Sequence, residues 1–131
     1  MDRQYTPEEE ANRRLVLAMY ERVLQPLDSS HMEEFFTSDY IQHNPSVVTG
    51  PQGLKGILDR ARVQSPHAEH RLKRVFVDGD YVIAHVHVII HPGELGRAVV
   101  DIFRIEGGKI AEHWDVAQPV PENPANDNGM F

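Results

Sequence analysis

The sequence predicts an α+β domain. Three observations point there. Apolar residues recur at helical spacing in the first half of the chain and alternate with a period of two in the second half. Two glycine turns, Asp78-Gly79-Asp80 and Glu106-Gly107-Gly108, punctuate that second half as hairpin signals. Helices first and an antiparallel meander second place the two kinds of structure in separate layers.

The first helix starts at Thr6-Pro7-Glu8-Glu9. Thr6 can cap, Pro7 suits the first turn, and Glu9 completes a capping box. Leu15, Val16, Met19, Tyr20, Val23 and Leu24 then form one stripe, which Pro26 and Asp28-Ser29-Ser30 end. A short helix over 31–36 places Met32, Phe35 and Phe36 on one side. Residues 40–45 read as a short extended segment that enters a loop at Pro45. Leu54, Ile57, Leu58 and Ala61 mark a third helix, bounded by Gly50-Pro51 and Pro66. Strands are expected over 71–77, 81–91, 97–105 and 109–117, and residues 118–131, with three prolines, as an irregular tail.

With 131 residues, 40% of them hydrophobic, the chain fits a single domain over 1–131. Thirteen basic against twenty acidic residues give −7, which argues against a nucleic-acid partner. The absence of cysteine excludes disulfides, iron–sulfur clusters, thiolate zinc sites and cysteine nucleophiles. No apolar run reaches the ~20 residues of a membrane span. The N-terminus is polar and acidic, unlike a signal peptide, so a cytoplasmic location is expected.

On the second strand Val82, Ala84, Val86, Val88 and Ile90 share one face, with Ile83, His85, His87 and Ile89 on the other. On the third, Val99, Asp101, Phe103 and Ile105 go together. An odd-numbered face common to both would carry His85, His87 and Asp101 among apolar neighbours. An aspartate in Val-Val-Asp-Ile-Phe is expensive to bury without partners, and a carboxyl poised that way suits general acid–base work. The fourth strand adds His113 and Asp115 on one face and Trp114 on the other. Tyr20, on the stripe of the first helix, reads as core.

The chain resembles the nuclear-transport-factor-2-like superfamily, and within it the SnoaL-like polyketide cyclases, especially the SnoaL-like aldol-condensation group. The resemblance is carried by Tyr-Ile-Gln-His-Asn-Pro (40–45), Val-Asp-Ile-Phe-Arg-Ile (100–105), Gly-Lys-Ile-Ala-Glu-His-Trp-Asp-Val (108–116) and the tail Asn-Asp-Asn-Gly-Met-Phe (126–131). It implies a cystatin-like α+β barrel, a cone-shaped curved antiparallel sheet wrapped around the N-terminal helices, with an apolar pocket at its wide end. It also implies a homodimer joined through the sheet, and no cofactor. Asp101 stands where such cyclases keep their acid/base aspartate. Ketosteroid isomerases are similar at Tyr20 and Asp101, but their base position is Asn44 here, and asparagine cannot shuttle a proton. Limonene epoxide hydrolases are similar at Asp101 and Asp115, but Val99 replaces their bridging arginine and Ile41 their water-holding tyrosine.

The leading expectation is therefore a cofactor-independent lyase or cyclase acting on a small, partly apolar carbonyl compound by aldol-type chemistry. Asp101, His113 and Asp115 are its candidate catalytic residues. Tyr20, His43, Asn44, His85, His87 and Phe103 are its candidate substrate contacts. One alternative is a non-catalytic domain that binds a small molecule in the same pocket. Another is a metal site in which His85 and His87 join His113 and Asp101. A convex sheet face rich in Val82, Ala84, Val86, Val88, Val100 and Ile102 would expose a large apolar patch on a monomer, and dimerisation would cover it.

Overall fold

Thr6 opens helix α1 (Pro7–Met19) through a complete capping box: its hydroxyl accepts the Glu9 N–H and the Glu9 carboxylate accepts the Thr6 N–H, both at 3.1 Å. The computed structural model describes residues 4–131; residues 1–3, the start of the polar N-terminus, lie outside the described residues. The helix continues as one wide π-type turn over Tyr20–Leu24, in which Gln25 N–H reaches the Tyr20 carbonyl at 2.8 Å. Helix α2 (Met32–Phe35) leads directly into strand β1 (Phe36–Gln42), and α3 (Pro51–Gln64) follows the loop after Pro45. The remaining strands are β2 (Glu69–Asp78), β3 (Tyr81–Ile89), β4 (Arg97–Glu106) and β5 (Lys109–Pro119).

The five strands form one curved, unclosed sheet in the order β1-β5-β4-β3-β2, with the helices packed against it. The last four strands are the antiparallel meander expected from the alternation. The first half of the short segment at 40–45 turns out to end a fifth strand, β1, which pairs parallel with β5 and sets Gln42 beside His113. Residues 120–131 carry no helix or strand. Among the described residues no helix is long and apolar enough to cross a membrane.

The register corrects one expectation. Strand β4 pairs with β3 so that Asp101 faces Ala84, Phe103 faces Val82 and Val99 faces Val86. The even residues of β3 therefore share a face with the odd residues of β4, and a shift of one residue sends every side chain to the opposite side. Val82, Ala84 and Val86, fully buried, belong to the inner face and not to the convex one. His85 and His87 lie on the outer face with Val100 and Ile102. Because both faces of β3 are apolar, alternation alone could not choose between them.

The core joins Val16, Met19, Tyr20 and Val23 of the first helix to that inner face, with Phe103, Ile105 and Ile110 beneath. Two buried polar residues of α1 anchor it to the β2–β3 turn. Glu9 accepts the Gly79 N–H at 3.0 Å and the Asn12 amide donates to the Gly79 carbonyl at 3.2 Å. Gly79 has φ 59°, a left-handed conformation that a side chain would disfavour. Arg62 of α3 donates twice to the carbonyl of Leu27, at 3.0 and 2.8 Å, and so ties the third helix to the end of the first.

Truncating Ile110, which is 0% exposed, to alanine is expected to remove roughly 2–5 kcal/mol of stability in chemical denaturation. Val63→Ala, at a site 82% exposed on α3, is expected to stay within about 0.5 kcal/mol of the parent.

Candidate functional site

A cavity of about 430 Å³ lies between the helices and the inner face of the sheet. Its walls are largely apolar, from Met19, Leu24, Leu54, Ile57, Val99 and Phe103, and its polar groups cluster on β1, β4 and β5. A larger cleft of about 790 Å³ is bordered by Ser29, Lys55 and Lys109 and contains none of that cluster.

Asp101 is the hub. It is 8% exposed, and both of its oxygens are engaged. The Tyr20 hydroxyl donates to Oδ2, and His113 Nε2 lies 2.8 Å from Oδ1. Tyr20 begins the wide turn of the first helix, and that turn carries its hydroxyl to the sheet. Burial first, and then the charge of Asp101, push the Tyr20 phenol well above its ordinary value, so it stays a donor.

The hydrogen bonds around His113 fix where its proton sits. Gln42 Oε1 accepts the backbone N–H of Asn44 at 3.1 Å, which identifies that atom as the amide oxygen. The same oxygen lies 2.7 Å from His113 Nδ1, which must therefore carry a hydrogen. A single further proton is then shared between His113 Nε2 and Asp101 Oδ1. The other end of the Gln42 amide donates to the Tyr40 hydroxyl at 3.1 Å. Burial, together with Asp101 and Asp115, raises the Tyr40 phenol above its ordinary range.

Asp115 stands opposite Asp101 across the β4–β5 ladder. The Asn44 amide nitrogen donates to both of its oxygens, at 3.0 and 2.9 Å. The Asn44 oxygen is taken by the Ser46 N–H at 2.9 Å, so the amide cannot turn round. Asn44 is thus a fixed donor, as its chemistry required. Asp101, His113 and Asp115 each present a ligand atom within 4.8 Å of the others, a nitrogen and oxygen set able to hold a divalent cation. A cation there would have to displace His113 from Asp101, since the other ring nitrogen is held by Gln42.

Of the sequence candidates, Asp101, His113, Asp115, Tyr20, Asn44 and Phe103 come together. Phe103 packs on both Tyr20 and His113, with ring centroids 6.0 and 5.0 Å apart. Tyr20 is buried in the core and also bonds Asp101.

Three histidines do not join them. His43 turns to the outer face, 2.7 Å from Glu112 and stacked on Trp114 at 4.8 Å. His85 accepts from Arg74, and His87 Nε2 donates to the Leu95 carbonyl at 2.7 Å. Both rings lie under Phe131, at 5.4 and 4.3 Å. A metal site joining His85 and His87 to His113 and Asp101 is therefore not assembled, because the sheet separates them.

Gln42, Tyr40 and His70 are the residues that sequence reasoning missed. His70 lines the cavity from β2 because the pairing slips between Leu72 and Arg74. The signal was a broken parity: His70 and Leu72 are even, whereas Val75 and Val77 are odd, and one extra residue puts all four on one face. Burial lowers the His70 imidazole from its ordinary value, only partly opposed by Asp101, and favours the neutral ring.

Residues 16–113 match the family model described as SnoaL-like domain. Among solved structures the chain is similar to TsrD from Streptomyces laurentii, with 23% identity over 88% of this chain and 91% of that one, and a TM-score of 0.65. It is similar to a protein from Jannaschia sp. CCS1 named as a SnoaL-like polyketide cyclase, with 17% identity over 88% and 91% and a TM-score of 0.71. It is also similar to an NTF2-like protein of unknown function from Mesorhizobium loti, with 18% identity over 88% and 97% and a TM-score of 0.72. At these identities the structures establish the fold. No curated protein sequence matches the chain.

Long-range ¹H–¹⁵N spectra at neutral pH are expected to show His113 Nδ1 protonated. A bare Nδ1 would contradict the arrangement around Gln42.

Proposed function

The chain belongs to the SnoaL-like domain family, and from that premise we propose that it is a single-domain, cytoplasmic, cofactor-independent lyase or cyclase with Asp101 as its acid/base residue. The observation that supports this reading is a buried carboxyl in the wall of an apolar cavity, held by a phenol and by an imidazole whose other nitrogen is itself fixed. The substrate is a small, partly apolar compound with an enolisable carbonyl. Asp101 takes a proton from the carbon next to that carbonyl. The resulting enolate attacks a second carbonyl of the same molecule, forming a carbon–carbon bond and an alkoxide. Asp101 then returns the proton to the alkoxide oxygen, so atoms balance and no cofactor enters.

The Tyr20 hydroxyl and the His113 ring share charge with the carboxyl as it gains and loses that proton. Asn44 and Asp115 border the same wall and position the substrate. Hydrogen-bond donors such as Tyr40, kept protonated by burial, are suited to the developing enolate. Transfer by the isomerase route is not part of this reading, because Asn44 is locked as a donor to Asp115.

A second reading has its own supporting observation: both oxygens of Asp101 are already satisfied within the protein, as they would be in a domain that binds a small molecule without transforming it. Deuterium incorporation next to the carbonyl of small apolar ketones, followed by NMR, separates the two. Asp101→Asn is expected to lower that exchange by about 10²–10⁴-fold while thermal unfolding stays close to the parent. An active Asp101→Asn protein removes the acid/base assignment.

We also propose that two copies associate through the outer face. Phe76, Tyr81 and Val116 are 53%, 42% and 68% exposed there, a grouping that a monomer would leave in water. Val116→Asp is expected to convert a sedimenting dimer to monomer. A parent protein that stays monomeric at micromolar concentration contradicts the assembly.

A further inference from the structure

The cavity has a second polar end that the chemistry at Asp101 does not use. Strand β4 opens with Arg97, which alternates onto the same inner face as Val99 and Asp101 and lines the cavity at its exposed rim. In a chain of net charge −7, Arg97 has no carboxylate partner among the described residues. His70 sits on the same rung of the sheet: His70 pairs with Val88, and Val88 with Arg97. Among the described residues the His70 ring has no hydrogen-bond partner, and its Nδ1 is buried. Buried polar atoms are nearly always paired, so an unpaired imidazole in a cavity wall calls for an explanation outside the protein. Val88 lies between the two as an apolar floor.

We infer that the substrate carries a carboxylate at the end remote from its enolisable carbonyl, received at the cavity rim by the Arg97 guanidinium with His70 as a second donor. The inference rests on the acid/base reading of Asp101 for which end reacts. Arginine is suited to the task, since its planar fork meets a carboxylate through two parallel hydrogen bonds. A neutral imidazole with one N–H adds a donor without a second charge to desolvate. Spacing sets the length. Four residues of strand set the Cα atoms of Arg97 and Asp101 about 13 Å apart, with both side chains on one face. Contacts of about 3 Å at each end leave a span of about 7 Å where the two side chains stand parallel. An unbranched chain of medium length between the carboxylate and the enolisable ketone fits that span.

The probes are ω-acetylhexanoate and its methyl ester, which differ only in the charged end. Calorimetric titration of the parent protein is expected to show the acid binding about tenfold more tightly than the ester. In Arg97→Gln that preference is expected to fall to within about twofold, and Arg97→Lys is expected to restore part of it. His70→Gln is expected to narrow the gap as well. Equal affinity for the two probes, a preference that survives Arg97→Gln, or no binding of either at millimolar concentration overturns the subsite. Deuterium exchange next to the ketone, measured on the same samples, keeps the two readings apart. A carboxylate preference without Asp101-dependent exchange supports the subsite and removes the acid/base reading. Exchange of both probes with no preference does the reverse.

Discussion

Placing one carboxyl group in the middle of an apolar strand is the constraint on which the rest of the site depends. Asp101 cannot be buried without partners, and each partner brings requirements of its own. Tyr20 must reach it from the first helix, which the wide turn beginning at that residue allows. His113 must present a particular nitrogen, which requires an acceptor at the other, so Gln42 is needed. Gln42 must hold its amide one way round, so the chain turns at Asn44 and returns a backbone N–H to it. Asn44 then has its own amide committed to Asp115. One unfavourable burial thus propagates through the parallel pairing of β1 with β5.

The cavity follows from the same geometry. Helices cover the inner face of a sheet that curves but does not close, and the space left beneath them is lined by the odd residues of β4. The buried Asp101 carboxyl lies partway along that strand, and Arg97, with no carboxylate partner among the described residues, at its start. Apolar walls lie between these two polar ends.

Much of the fold could be read in the sequence, since helical and strand periods change once and glycine turns mark the hairpins. The capping box at Thr6, the helix ended by Pro26 and the meander are local features, and local physics determines them. The convergence of Asp101, His113 and Asp115 was legible because all three obey the alternation of adjacent strands. What was not legible depends on pairing between distant segments. His85 and His87 fall on the outer face because β3 meets β4 in a register that periodicity does not encode. His70 reaches the cavity through a bulge of one residue. Gln42 matters through a parallel strand whose partner lies some seventy residues away, and His43, its neighbour, faces the other side for the same reason.

The most direct measurement is a paired titration of Asp101, by its carboxyl ¹³C signal, and of His113, by its ring ¹⁵N signals. If the two share a proton, both signals move together in the same pH steps, and both are displaced when Tyr20 is changed to phenylalanine. An Asp101 signal that moves alone, with His113 still and Tyr20→Phe without effect on either, would contradict the account.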